Sequence, residues 1–141
     1  MRHEEGTEPV SDAEAFDAFQ RGRRLLDSGD AHAASVALEQ ARALEPGLGS
    51  VREALARAYF RSGRYQRAAE EFAASVEIEP VNDYAHFGLG LSLLRTGDRR
   101  AARRHLQLAT AMRPDNADYR AALADVSSDE PAAGDALGAE G

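Results

Sequence analysis

The sequence contains no cysteine and no lysine among its 141 residues. The absence of cysteine excludes disulfides, thiolate nucleophiles and cysteine-ligated zinc or iron–sulfur centres. All seventeen basic residues are arginine, and alanine and glycine are abundant. We attribute both features to the base composition of the genome. The chain also lacks an apolar run long enough to span a membrane and an N-terminal apolar core typical of a signal peptide. We therefore expect a cytoplasmic protein without membrane association or cofactor.

Acidic residues exceed basic ones, with a formal net charge of −7, and the excess lies at the two ends of the chain. Residues 1–12 carry a net charge of −3 and residues 127–141 a net charge of −4, which leaves the middle neutral. The end segments are rich in Gly, Ser, Pro, Ala and acidic residues, which bury too little apolar surface to become ordered. We expect disordered acidic tails at 1–11 and 127–141, and one domain at 12–126.

The middle of the chain repeats three times at a spacing of 34 residues without insertion. A fixed period of this length indicates a solenoid in which each unit packs on its neighbours. The aligned sets are Gly22/Ala56/Gly90, Leu25/Tyr59/Leu93, Gly29/Gly63/Gly97, Ala34/Ala68/Ala102, Leu38/Phe72/Leu106, Ala41/Ser75/Ala109 and Pro46/Pro80/Pro114.

Each unit is predicted to form two antiparallel helices with defined ends. The glycines of the third set occupy the place where a helix ends in a left-handed residue. Asp30 and Asp98 follow them as N-caps of the second helix. The repeat prolines end the second helix, because proline lacks a donor and restricts the residue before it. Asn82 and Asn116 then stand where the next helix needs an N-cap.

Two glycines lie inside the predicted first helices. Glycine costs about 1 kcal/mol in a helix interior, so Gly22 and Gly90 predict that a neighbouring backbone passes too close for a side chain. The alanines of the fourth set have the same role on the second helix, and the large residues of the fifth set fill the remaining space.

These residues together resemble the tetratricopeptide repeat (TPR) family. The resemblance implies an all-α fold, a right-handed α-solenoid of three antiparallel helix pairs and a C-terminal capping helix. The repeats would span about 15–48, 49–82 and 83–116, and the capping helix about 117–126. One usually large apolar place holds Ala18, Arg52 and His86, and another holds Arg21, which predicts weaker packing of the first repeat.

In this family the first helices line the concave surface, so the resemblance implies a binding groove there. Aromatic residues beside arginines are enriched at binding hot spots, and guanidinium groups donate to carboxylates. We therefore predict a protein–protein interaction adaptor or scaffold that binds a peptide or partner segment of acidic and apolar character. The candidate groove residues are Phe16, Phe19, Arg23, Glu53, Arg57, Arg61, Tyr84, Phe87, Leu91 and Arg95.

A plainer interpretation of these side chains stays open. Arg57 could pair with Glu53 one turn earlier on its helix, and Arg23 with Asp27 one turn later. Some TPR domains bind acidic chaperone tails through a clamp of Lys, Asn and Arg. The matching places here hold Phe19, Arg23, Ala54, Tyr84 and Gly88. Only Arg23 is basic, so a chaperone tail is not expected as the ligand.

Three other functions were weighed from the sequence. A self-associating structural module, and hence a homo-oligomer, stays as the alternative. Weak nucleic-acid association is a minor alternative, and its candidate residues are Arg99, Arg100, Arg103 and Arg104. These arginines are predicted to face solvent on the convex side, where a charged helix face usually has no further role. The matching helices of the other repeats lack a continuous basic stripe, which argues against nucleic-acid binding. Catalysis and metal binding are not expected, because His3, His32, His86 and His105 are scattered and no phosphate-binding loop is present.

Overall fold

The chain folds into successive α-helices in a computed structural model, which describes the backbone of residues 3–140 and the side chains of residues 12–128. No strand occurs in that described backbone. The helices are α1 (His3–Asp27), α2 (Ala31–Leu44), α3 (Gly49–Arg61), α4 (Tyr65–Ile78), α5 (Asp83–Thr96), α6 (Arg99–Met112) and α7 (Ala117–Glu140). Each helix packs on the next, and α1 contacts α3 as α3 contacts α5. The predicted all-α solenoid of three helix pairs and a capping helix is confirmed.

The turns within the repeats follow the predicted local chemistry. The φ values of Gly29, Gly63 and Gly97 are 90°, 82° and 98°. These values lie in the left-handed region, which residues with a side chain rarely adopt. Asp30 and Asp98 accept hydrogen bonds from the amides of Ala33 and Ala101 and so cap the second helices of their repeats. Asn82 and Asn116 cap α5 and α7 in the same way.

The links between repeats are closed by a hydrogen bond that recurs three times. The second helices end at Leu44, Ile78 and Met112, two residues before each repeat proline. The carbonyl of Pro46 accepts from Arg52 Nε at 3.0 Å, that of Pro80 lies 2.9 Å from His86 Nε2, and that of Pro114 accepts from Arg120 Nη1 at 3.0 Å. Two of these residues, Arg52 and His86, occupy the usually large apolar place, so here that place satisfies a backbone acceptor.

Gly22 and Gly90 lie at close approaches, but mainly to side chains. A Cβ at Gly22 would lie 2.4 Å from Leu38 Cγ, and one at Gly90 would lie 2.7 Å from Leu106 Cγ. At Gly90 a backbone atom comes next, the Ala102 carbonyl oxygen at 3.2 Å, whereas at Gly22 the three nearest atoms all belong to Leu38. The nearest obstacle at both glycines is therefore a leucine side chain of the second helix rather than the predicted backbone.

Buried charges join the first two repeats. Glu71 on α4 is only 6% exposed. Its carboxylate accepts from Arg52 on α3 at 3.0 Å and from Arg42 on α2. Because one carboxylate serves two arginines, this network fixes α2, α3 and α4 relative to one another.

The outermost helices are longer than the sequence analysis expected. Helix α1 begins at His3 and helix α7 ends at Glu140. The two helices therefore include residues 3–11 and 127–140, which the sequence predicts to be disordered tails. Both segments contain residues of high helix propensity, chiefly Glu in the first and Ala in the second. The low apolar content used for the prediction does not report on propensity. The division into domain and tails stays a prediction.

Candidate binding groove

A small apolar cleft opens between α3 and α5. Its volume is about 120 Å³ and its lining consists of Arg57, Phe60, Arg61, Phe72, Tyr84, Phe87, Gly88 and Leu91. Phe72 reaches this surface from α4 because Gly88 has no side chain: a Cβ there would lie 2.3 Å from Cζ of the ring. Gly88 therefore makes an aromatic ring part of the cleft.

A second depression, of about 230 Å³, adjoins the cleft on the side of α1. It lies between α1 and α3 and is lined by Phe19, Arg23, Ser50, Glu53, Ala54 and Arg57. Arg57 belongs to both linings, so the two form one continuous surface over α1, α3 and α5, which we call the concave groove.

Aromatic packing holds the α5 wall of the groove. The ring of Tyr84 lies 6.2 Å from Phe72 and 6.3 Å from Phe87, between ring centroids. Phe87 in turn lies 4.6 Å from Tyr119 of α7. The Tyr119 hydroxyl donates to Asp83 at 2.6 Å, and burial together with this carboxylate raises the pKa of Tyr119. The capping helix therefore supports the groove as well as covering the end of the solenoid.

The arginines of the groove are poorly matched by protein carboxylates. Among the described residues Arg57 has no hydrogen bond and no ion pair, and Glu53 instead accepts from Asn82 at 2.9 Å. Arg23 lies over the Phe19 ring at 5.7 Å rather than pairing with Asp27. The in-helix ion pairs of the plainer interpretation are thus absent from the part of the chain described, and the guanidinium groups keep free donors.

The Tyr84 hydroxyl is a further unused polar group. It has no hydrogen-bond partner among residues 12–128. Burial raises the pKa of Tyr84, the charges of Arg57 and Arg61 act to lower it, and that of Glu53 acts to raise it. Tyr84, Arg57 and Arg61 all line the cleft between α3 and α5.

Eight of the ten predicted residues line the concave groove, and two lie beyond its ends. Phe16 is 59% exposed and lines a separate apolar depression that also includes Phe19 and Leu48. Arg95 lies outside at the far end, where it stacks on Phe60 and Tyr65 at 5.4 and 4.7 Å and donates to the Tyr65 hydroxyl. Whether any of the ten contacts a partner stays a prediction.

Five residues that line the concave groove are not among the ten candidates, and one histidine pair was also missed. The five are Ser50, Ala54, Phe60, Phe72 and Gly88. From the sequence, Ala54 and Gly88 were named only as places of the chaperone-tail clamp. His86 and His105 are predicted to lie apart, but their rings stack at 5.3 Å between centroids, with the two Nδ1 atoms 3.1 Å apart. No third ligand joins them: residues 12–128 contain no group of three or more side chains arranged to hold a metal.

The arginines at the start of α6 are partly engaged. Arg99 donates to the Val126 carbonyl at 3.2 Å, and Arg103 also has an interaction partner. Arg100 and Arg104 are exposed. These four arginines are therefore not a set of free cations. In the described residues, no helix is both long and apolar enough to cross a membrane.

The model of the tetratricopeptide repeat matches residues 25–82 and 60–126, which together cover more than half of the chain. The chain belongs to the tetratricopeptide repeat family. As a family TPR domains are protein-interaction modules, so a role in protein–protein interaction is supported. None of the curated protein sequences compared with this TPR chain matches it.

Solved TPR structures share its fold at low sequence identity. The second TPR domain of human RPAP3, determined in complex with an HSP70 peptide, has a TM-score of 0.78 and 15% identity, covering 83% of this chain and 98% of that one. The Sgt2 TPR domain from Aspergillus fumigatus gives 0.77 and 20%, with 84% and 81% covered. The Arabidopsis OM64 TPR domain gives 0.79 and 14%, with 84% and 98% covered.

Proposed function

We propose that this TPR protein is an interaction adaptor whose concave groove binds a peptide or an extended partner segment of acidic and apolar character. The observation that carries the proposal is the unpaired guanidinium of Arg57 beside an apolar cleft. A half-buried, unpaired cation and an apolar depression on one surface are suited to a ligand that supplies a carboxylate and an apolar side chain.

The charge balance of the groove supports an acidic ligand. Arg23, Arg57 and Arg61 line it, and Glu53 is the single carboxylate among the lining residues of the cleft and the adjoining depression. Glu53 is already hydrogen-bonded to Asn82. An incoming carboxylate would therefore meet an excess of positive charge, which favours association with acidic partners.

Peptide binding by related folds is consistent with the proposal but does not identify the ligand. The RPAP3 domain of similar fold was solved with an HSP70 peptide. In the present chain the places of the chaperone-tail clamp hold Phe19, Arg23, Ala54, Tyr84 and Gly88. Phe19, Ala54 and Gly88 have no donor in the side chain. Tyr84 has only a neutral hydroxyl in place of the Lys, Asn or Arg of such a clamp, so we propose a partner other than a chaperone tail.

The test compares three forms of the full chain in partner capture from a lysate, with cross-linking to locate the contact. The forms are the wild type, an Arg57→Glu/Phe87→Ala variant and an Arg100→Glu variant, each shown by circular dichroism to be folded. Arg100 lies outside the groove, so its reversal changes the net charge by the same amount and serves as the matched control.

We expect partners cross-linked to the groove to be lost from the groove variant and kept by the Arg100 variant, because hot-spot residues are worth about 2 kcal/mol or more. Equal capture by all three forms, or cross-links that avoid the groove, would refute the proposal.

A further inference from the structure

Three hydrogen-bonding side chains with spare donors line the cleft of the concave groove. The Tyr84 hydroxyl and the Arg57 guanidinium have no hydrogen-bond partner among the described residues. Arg61 makes one long bond, from Nη1 to the Leu26 carbonyl at 3.4 Å. Because a guanidinium has five N–H donors, Arg61 also keeps most of its capacity. All three residues line the cleft between α3 and α5.

The cleft itself fits one apolar side chain. Its volume of about 120 Å³ is below the roughly 300 Å³ at which pockets for whole small molecules begin. It is close to the roughly 150 Å³ of a cavity that accepts a benzene ring. Phe72, Phe87 and Leu91 supply apolar walls, so a leucine-sized group would bury its surface there.

The absence of a side chain at Gly88 makes this part of the groove apolar rather than polar. Gly88 occupies one of the places of the chaperone-tail clamp, where a long polar side chain would compete for the space. In this chain the buried Phe72 ring occupies that space instead and forms part of the cleft lining. Position 88 therefore contributes no hydrogen-bond donor, and the donors come from Arg57, Arg61 and Tyr84 in the same lining.

We propose, on the basis of the proposed function, that this part of the groove recognises an acidic–x–apolar motif in an extended partner segment. One carboxylate binds Arg57, Arg61 and the Tyr84 hydroxyl, and the apolar side chain two residues away enters the cleft over Phe72. The spacing follows from backbone geometry, because in an extended chain residues i and i+2 point the same way and lie about 7 Å apart. Neighbouring residues point to opposite faces and cannot both reach the subsite.

The probes are three capped peptides, which have no terminal charge: acetyl-Asp-Gly-Leu-amide, acetyl-Asn-Gly-Leu-amide and acetyl-Asp-Gly-Ala-amide. A fourth, acetyl-Asp-Leu-amide, tests the spacing, and acetyl-leucine tests whether an α-carboxylate on the same residue suffices. Binding to the full chain is measured by NMR titration of the backbone amides and the arginine Nε–H signals, which detects millimolar affinities.

We expect acetyl-Asp-Gly-Leu-amide to bind most tightly and to shift the signals of Arg57, Arg61 and Gly88. Loss of the carboxylate or of the leucine side chain should weaken binding at least tenfold, since hydrogen bonds to a charged group and a buried leucine are each worth that much. Tyr84→Phe, which keeps the ring, and Arg57→Gln should each weaken it by about tenfold, whereas Arg100→Gln should leave it unchanged.

Equal binding of the Asp and Asn peptides, tighter binding of acetyl-Asp-Leu-amide or acetyl-leucine, or no groove-specific shift with any probe would overturn the motif. Such a result leaves the proposed function standing where capture of partners still depends on the groove. Capture that is independent of the groove refutes the function even where the tripeptide binds, so the two failures are distinguishable.

Discussion

Replacing Gly90 with alanine tests whether the first and second helices of a repeat are packed as tightly as the structure shows. Alanine is favoured over glycine in a helix interior by about 1 kcal/mol, and Gly90 lies in the middle of α5. Considered as a helix residue alone, the substitution should stabilise the protein. The packing of α6 on α5 predicts the opposite sign.

The opposing contribution comes from Leu106 and Ala102. The new methyl group would lie 2.7 Å from Leu106 Cγ, 2.8 Å from its Cδ2 and 3.2 Å from the Ala102 carbonyl oxygen. Leu106 is fully buried and cannot swing into solvent. Over-packing of this kind costs about 1 to 3 kcal/mol and is large enough to exceed the gain in propensity. We expect Gly90→Ala to lower the free energy of unfolding by about 1 kcal/mol.

Urea denaturation followed by circular dichroism at 222 nm measures this difference. Gly49→Ala, at the first residue of α3, is the control for a glycine that has room for a Cβ. The nearest atoms there would be Ile78 Cγ2 at 3.5 Å, Glu79 Oε1 at 3.8 Å and Ile78 Cβ at 3.9 Å, all ordinary contacts. The control should be neutral or stabilising by up to about 1 kcal/mol. In a Leu106→Ala background, which removes the closest atoms, Gly90→Ala should no longer destabilise.

The reasoning would be refuted if Gly90→Ala stabilised the protein as much as Gly49→Ala, since α5 and α6 would then be farther apart than described. A penalty that persists unchanged in the Leu106→Ala background would locate the conflict at the Ala102 backbone and contradict the role of the leucine.

Three further predictions concern the His86–His105 contact, the Glu71 network and the ends of the chain. Burial lowers the pKa of His105, and the charges of His86 and Arg104 lower it further. Because the unfolded chain then binds more protons than the folded one, the free energy of unfolding should fall as the pH drops below about 6.5. His105→Gln should flatten this part of a plot of the urea midpoint against pH. Glu71→Ala should lower the free energy of unfolding by about 1 to 3 kcal/mol, because it leaves two half-buried arginines without their carboxylate. The control Glu70→Ala, at an exposed position, should change the free energy of unfolding by less than about 0.5 kcal/mol. Similar losses for the two variants in thermal denaturation would contradict the network. Deleting 1–11 and 127–141 should leave the melting temperature unchanged, because Tyr119 and Val126, which anchor α7, are retained; a drop of several degrees would show that the long helices of the structure contribute to folding.

Local features of the fold were predictable because they depend on short-range chemistry. A glycine in the left-handed region and an Asp or Asn whose side chain accepts from an amide three residues later each act within one turn. The repeat then multiplies each signal by three. The predicted groove face also follows from this periodicity, since residues 34 apart must lie on equivalent faces of successive first helices. Eight of the ten candidates line the groove for that reason.

Features that depend on contacts between helices were missed. Gly88 is a small residue in the sequence, and only the packing of α4 on α5 shows that the buried Phe72 ring occupies the space of its missing Cβ and so lines the cleft. The ion pairs suggested by i, i+4 spacing failed for a related reason. Asn82, at the N-cap of α5, donates to Glu53, and Arg57 has no hydrogen-bond or ion-pair partner among residues 12–128. No spacing rule within α3 reports that competitor.

The departures of this chain from the TPR pattern acquire a common explanation once positions 19 residues apart are compared. The usually large apolar place holds Ala18, Arg52 and His86, and 19 residues later stand Ala37, Glu71 and His105. The alanines are both buried, Arg52 pairs with Glu71, and His86 stacks on His105. A buried polar group is retained only when it has a partner, so each departure in a first helix is matched by its own partner in the second.

In the second and third repeats the relevant unit is therefore the pair rather than the residue, and weaker packing of the first repeat stays a prediction. His86 illustrates the constraint. Its Nε2 must donate to the Pro80 carbonyl, which can only accept, so in the neutral ring Nδ1 is left as an acceptor and His105 has to donate to it. A second proton between the two Nδ1 atoms would place donor against donor. The partner residue, and not the repeat consensus, therefore determines which side chains the place can hold in each repeat.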